Sequence, residues 1–290
     1  MQPRFFLVIL WLVFGAPALA EEPIGDAIND VPIFDAHIHY KEPAWAPFPV
    51  DRVIRLMNRN GVSMGLVSST PDEGTIKLKE YAPNRIVTSL RPYHDGWGSS
   101  DWMDFPGMAD YIDDRLARFN HAALGEFHVR SLQERNEPIM RHTARRAVEL
   151  NIPLHIHSDA PPIDAFFEFE PTATIIWAHA GMTEPPQVVE RMLAKYENLY
   201  VDTSYREFDI LKGDGSIDPR WRKVIEKFPE RIMVGSDTWV NGQWDQYDAL
   251  IDINRQWLSQ FPREIAEMIA YKNAEKLFGV SVTKDQIGTR

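Results

Sequence analysis

Cysteine is absent from the 290 residues. That excludes thiolate nucleophiles, cysteine-held zinc and iron–sulfur clusters, so any metal must be held by His, Asp or Glu. Disulfide staples are excluded too. A chain of this length does not need them, because it buries most of the surface its unfolded form exposes. Basic clusters are also lacking: 31 Lys and Arg stand against 42 Asp and Glu, a net charge of −11. A nucleic-acid backbone is therefore a poor partner. No Gly-x-Gly-x-x-Gly follows the first strand-like segment, which argues against a dinucleotide-binding sheet. Long hydrophobic runs are missing as well. The apolar run Phe5–Phe14 has ten residues, too few to span ~30 Å of hydrocarbon as a helix.

That short run does have the make-up of a secretory leader. Arg4 precedes it, Gly15-Ala16-Pro17 breaks it, and Ala18-Leu19-Ala20 offers a small-residue cleavage site before Glu21-Glu22. The expectation is a signal peptide over 1–20 cut after Ala20, an acidic linker over 21–30, a folded body over 31–280 and a tail over 281–290. The mature protein is then periplasmic or secreted, with no stable membrane span after cleavage. Nothing in the sequence argues against a homo-oligomer.

From Val31 onward, eight short runs rich in Ile, Val, Leu, Phe and Trp read as buried parallel strands. They are Pro32–His39, Ser63–Ser69, Arg85–Arg91, Ala122–Val129, Ile152–His157, Thr174–His179, Leu199–Thr203 and Ile232–Asp237. Helical patterns lie between them at Val50–Asn60, Met108–Phe119, Glu137–Leu150, Pro186–Tyr196 and Pro219–Phe228. Tyr93–Gly107 reads as a long loop over the active face, and Trp257–Gly279 as two outer helical pieces. This alternation predicts an α/β fold, a single-domain (β/α)8 TIM barrel, with a doubly wound open sheet as runner-up.

Strand side chains alternate, so His37 and His39 project together from the end of the first run, where they can hold one metal ion side by side. Such strand ends form the active face of a barrel. Glu126 and His128 close the fourth run, His155 and His157 the fifth, His179 the sixth and Asp237 the eighth. His155 reads as a support behind His157, and Asp35 as a ligand or a loop anchor. His94 reads as a loop residue within reach of substrate, and His121 and His142 as unrelated to metal. Arg91 and Tyr93 end the third run, and Ser204 and Arg206 follow the seventh. Arginine forks suit carboxylates and phosphates, so Arg91, Tyr93 and Arg206 are substrate-binding candidates for an anionic small molecule unless local acids claim them. His128 and Trp239 join that set, Trp239 as an apolar wall with Trp97 and Trp102.

Asp35-Ala36-His37-Ile38-His39, His157, Trp177-Ala178-His179-Ala180-Gly181, Gly235-Ser236-Asp237 and Asn273–Gly279 together resemble the amidohydrolase superfamily. The nearest likeness is to its amidohydrolase-related branch, which includes lactonases and aromatic-acid decarboxylases. The resemblance implies a metal held by His37, His39 and Asp237, with His157 as a further ligand. It makes His179 a ligand to a second ion or a polarising group, and Asp237 the general base. Many two-metal relatives carry a carboxylated lysine on the fourth strand; this chain has Glu126 there, as in the branch resembling the TatD-type nucleases, so the count of one ion or two stays open. Imidazole and carboxylate ligands suit Zn2+ first, and Mn2+ or another transition metal also. An ion with one open position acidifies water toward a pKa of ~7 and makes a nucleophile of it. The expected function is hydrolysis of an ester, lactone or amide. The alternatives are a metal-dependent decarboxylase of an aromatic or unsaturated acid, and a non-catalytic metal- or ligand-binding barrel.

Overall fold

A computed structural model describes residues 28–283. The leader, most of the linker and most of the tail expected from the sequence lie outside the described residues. Eight strands follow in order: β1 (Ile33–His39), β2 (Val62–Ser68), β3 (Ile86–Leu90), β4 (Ala123–His128), β5 (Leu154–His157), β6 (Ile175–Trp177), β7 (Leu199–Asp202) and β8 (Ile232–Met233). Each pairs in parallel with the next in the chain. The seam between β8 and β1 is held by backbone bonds from Ala36 N to Val234 O, 2.9 Å, and from Asp237 N to His37 O, 2.7 Å. With helices between the strands, this is the (β/α)8 barrel that the alternation predicts.

Local chemistry sets the helix ends. Glu137–Leu150 carries Pro138 in its first turn, where a missing N–H costs nothing, and stops at Asn151 in the left-handed region, φ 53° and ψ 45°. Among the helices additional to those read from the sequence are two of nine and ten residues between strands. Glu73–Tyr81 is short and mixes Gly and Thr with few apolar residues. Ala160–Phe169 opens on two prolines and is apolar on most sides, so it shows little helical periodicity. The C-terminal region also differs. Trp257 lies near the end of a helix spanning Tyr247–Leu258, and a later helical run, Arg263–Phe278, contains a wider turn at Met268–Lys272. Among the described residues no helix is long and apolar enough to cross a membrane.

Two apolar layers result. One lies between strands and helices and includes Ile33, Ile38, Leu124 and Phe127. The other fills the barrel bottom with Phe34, Ala36, Met64, Leu66, Val87 and Met233, sealed by Leu277 and Phe278. Phe34 stacks on Phe278 with centroids 5.6 Å apart. Burial of each such side chain contributes roughly 1.5–3 kcal/mol, so the bottom of the barrel is a packed plug and the opposite mouth is left for chemistry.

Two bulges re-aim side chains at that mouth. Along β1, Asp35 pairs with Gly65 but Ile38 pairs with Val67, one residue more on β1 than on β2. Phe34 and Ala36 therefore face the plug, while His37 and His39 face the mouth and Ile38 faces the helices. Strict alternation would have kept Asp35 in register with the two histidines. β4 repeats the device: Gly125 pairs with His155, and Phe127 with Ile156. The extra residue is Glu126. Bulges next to active sites commonly redirect a side chain in this way.

Candidate metal centre

The mouth gathers the predicted residues into one buried cluster. His37 Nε2 and His39 Nε2 lie 3.1 Å apart. Asp237 Oδ1 is 3.1 Å from His39 Nε2 and 3.5 Å from His37 Nε2. Glu126 faces both sides of the cluster. Its Oε2 is 3.2 Å from His39 Nε2 and 3.9 Å from His37 Nε2. Its Oε1 is 2.7 Å from His157 Nδ1 and 3.4 Å from His179 Nε2. His128 stacks on His157 with centroids 4.0 Å apart.

Three of the imidazoles are held from behind, which decides the nitrogen each presents. His37 Nδ1 contacts both oxygens of Asp202, at 3.3 and 3.2 Å. His39 Nδ1 contacts Ser68 Oγ at 2.8 Å. His179 Nδ1 donates to the Ser204 carbonyl at 3.1 Å. The Nε2 atoms of all three are thus turned inward. Tyr93 accepts from the His128 backbone N–H at 2.8 Å, and its hydroxyl lies 2.9 Å from His128 Nδ1; when it donates there, the proton of His128 sits on Nε2.

The electrostatics are those of a site built around a cation. Burial lowers His37 to about 4, against the pull of Asp202, so its ring is neutral. Burial likewise lowers His128 to about 3. Burial opposes ionisation of Asp237, but the neighbouring His37 and His39 outweigh it and bring it to about 2. Glu126 is held well below the usual carboxylate range by His157, His179 and His39, again against burial. His179 moves the other way, to about 9, because the Glu126 carboxylate overcomes burial. Two ionised acids thus draw a proton onto an imidazole where no metal balances them. Asp237 Oδ1 is also buried with no hydrogen-bond partner among the described residues. Inward lone pairs and an unpartnered carboxylate oxygen fit a divalent ion. Three groups of potential ligands meet the spacing for one: His37, His39 and Asp237; His37, His179 and Asp202; and Glu126, His128 and His157.

β6 ends at Trp177 and β8 at Met233, earlier than the sequence runs suggest. His179 and Asp237 sit beyond them with φ of 56° and 48°. Non-glycine residues there carry roughly 1–3 kcal/mol of strain each and cluster at functional sites. Gly235 makes the turn after β8 fit. A Cβ on it would lie 2.7 Å from His37 Cβ, so only hydrogen leaves His37 in place.

The remaining predicted residues divide. Arg91, Tyr93, His128 and Trp239 line a cavity of about 600 Å³ with His39, Glu126, His157, His179 and Asp237. Arg91 is engaged there, its Nη2 2.8 Å from Glu126 Oε2. Arg206 is absent from the lining. It is buried and donates to the carbonyls of His179, Ala180 and Glu184 at 2.8–3.3 Å, shaping the loop that carries His179. Trp102 is fully buried and donates to the His128 carbonyl at 2.8 Å. His155 supports from behind, 2.9 Å from Asp202. Asp35 anchors the β8 turn, accepting from Ser236 Oγ at 2.6 Å and Tyr247 Oη at 2.9 Å.

The family model described as amidohydrolase matches residues 34–280. The chain belongs to the amidohydrolase family. Membership places this amidohydrolase among metal-dependent hydrolases. An organophosphorus hydrolase from Deinococcus radiodurans superposes with a TM-score of 0.56 at 12% identity, covering 89% of this chain and 93% of that one. A probable 2-pyrone-4,6-dicarboxylic acid hydrolase from Acinetobacter baumannii, with citric acid bound, gives 0.56 at 14% identity over 85% of this chain and 99% of that one. At such identities the likeness bears on the fold alone. No curated protein matches the chain in sequence.

Asp202 is the residue that sequence reasoning missed. It is fully buried at the end of β7, bonded to His37, His155 and the Ser204 hydroxyl. Its signal was present, since it lies near the end of a predicted strand as the ligands do. Asp202→Asn is expected to lower metal affinity by roughly 10–100-fold, the usual effect of losing a ligand's rear partner. Competition with a chromophoric chelator measures it.

Proposed function

We propose that this amidohydrolase cleaves an ester, lactone or amide of a small molecule, using divalent ions held by His37, His39, Glu126, His157, His179 and Asp237. Zn2+ is the preferred ion by ligand chemistry. The observation that carries the reading is the placement of Glu126, one oxygen toward His37 and His39 and the other toward His157 and His179. That placement favours two ions sharing one carboxylate. When bound, the ions supply Lewis-acid polarisation of a carbonyl and a more acidic water molecule.

The chain's own groups supply the rest. Asp237 is ionised, so the oxygen of its carboxylate not engaged as a ligand takes a proton from the attacking water and returns it to the leaving group. His128 offers its Nε2–H to the oxygen on which charge develops. Tyr93 and Trp239 wall the cavity and reduce water access. The leader at 1–20 supports export to the periplasm or beyond.

A pH-stat assay of zinc-loaded protein over esters, lactones and amides tests the reading. The expected result is cleavage of at least one class, read as one acid equivalent per turnover for an ester or lactone and as released amine for an amide, lost on chelation and restored by Zn2+ or Mn2+. Release of carbon dioxide from an aromatic or unsaturated acid, with none of these cleaved, would overturn it.

A further inference from the structure

The whole chain carries a net charge of −11, yet its cavity is lined by three cations, Lys41, Arg91 and Arg130, and two acids, Glu126 and Asp237. Both acids face the imidazoles of the metal centre, and Arg91 is taken by Glu126. Arg130 is exposed and reaches Ser99 Oγ at 3.3 Å. Lys41 differs from both. It follows His39 by two residues, so the end of β1 delivers it to the same mouth. It is half-buried, and its contact is the face of Trp239, 5.4 Å from the ring centroid. No ion pair with a carboxylate holds it among the described residues. Lys41 also stands where three hollows meet. Past it the cavity continues into one of about 550 Å³ walled by Thr70 and Trp97, and another of about 160 Å³ beside Val240.

We propose that Lys41 is a specificity residue, whose ammonium binds a carboxylate carried by the substrate at some distance from the carbonyl attacked. The two arginines that the sequence offers for this task are committed elsewhere, Arg91 to Glu126 and Arg206 to backbone carbonyls. A half-buried ammonium where three hollows meet suits a carboxylate on a substrate that reaches past the metal centre, and a charge-assisted bond there is stronger than a neutral one. A cationic lining in an acidic protein also concentrates anions at the mouth. The proposal takes its substrate from the hydrolase reading above, but the anion subsite itself is measurable without turnover.

The test compares zinc-loaded wild type, Lys41→Met and Lys41→Arg by calorimetry with glutarate and butyrate, so that both ligands offer one carboxylate to the metal and only glutarate a second to Lys41. Wild type is expected to prefer glutarate by roughly tenfold or more, the worth of one charge-assisted bond. Lys41→Met should bring the ratio close to one, and Lys41→Arg should restore most of it. A second readout is the ratio of kcat/KM for 4-nitrophenyl hydrogen glutarate over 4-nitrophenyl butyrate, which should fall in Lys41→Met by a similar factor. No glutarate preference in wild type, or the same preference in Lys41→Met, overturns the proposal. If the binding ratio shifts while neither ester is cleaved, the subsite stands and the hydrolase reading loses support. If both esters are cleaved with an unchanged ratio, the reverse holds.

Discussion

Asp237→Asn is expected to lower kcat/KM by at least ~10³-fold, within the range that a positioned proton-transfer group contributes. The substitution keeps size and shape and removes the negative charge and the proton-accepting capacity of the carboxylate. It is also the gentlest change available. Asp237 has φ of 48°, and Asn is among the few side chains that tolerate the left-handed region. The backbone bond from residue 237 to the His37 carbonyl is unaffected by the change. The far-ultraviolet circular dichroism spectrum and the melting temperature should therefore stay near wild type. Rates are to be compared at matched metal content, measured by elemental analysis, because Asp237 also contacts His37 and His39. A variant retaining more than a tenth of wild-type kcat/KM with full metal would remove Asp237 from the role of base.

The second large effect belongs to Glu126→Gln. Glu126 is buried, with Arg91 on Oε2 and His157 on Oε1. An amide offers one acceptor oxygen where the carboxylate offers two, and it carries no charge to neutralise a cation. It also leaves buried Arg91 without its carboxylate. Loss of a direct ligand should exceed the 10–100-fold effect of losing a supporting one, so at least ~100-fold weaker metal binding is expected. If Glu126 spans two ions, elemental analysis should fall from two per chain to one or fewer, and activity should fall with it. Unchanged metal content would make Glu126 a partner of Arg91 only. Comparison with Asp202→Asn separates the roles, because Asp202 acts through His37 and His155.

Much of the architecture is legible in the sequence because a parallel barrel buries both faces of its strands. Runs such as Ser63–Ser69 and Arg85–Arg91 stand out by composition alone, and β2 and β3 fall within one residue of them. Helices with a polar outer face, such as Glu137–Leu150, are equally plain. Ala160–Phe169 escapes because two prolines open it and only Asp164 and Glu168 mark its outer face with charge. At the metal centre, residue type and strand position bring out His37, His39, Glu126, His157, His179 and Asp237. What alternation does not reveal is the pair of bulges in β1 and β4. They turn His37 and Glu126 inward and leave Asp35 to the β8 turn. Nor does it show who holds whom. Arg206 reads as a substrate fork until three backbone carbonyls are found around it, and Lys41 is singled out only by the cavities that surround it.

The central claim is that the histidines at the mouth of the barrel, with Glu126 and Asp237, form a divalent-metal centre. Crystals grown with Zn2+, with anomalous data collected on either side of the zinc edge, test it most directly. The expected map has a peak ~2.0–2.2 Å from His37 Nε2, His39 Nε2 and an Asp237 oxygen, and a second peak between Glu126, His157 and His179. A map with no anomalous peak inside the barrel mouth, or with zinc bound only at the protein surface, would contradict the account.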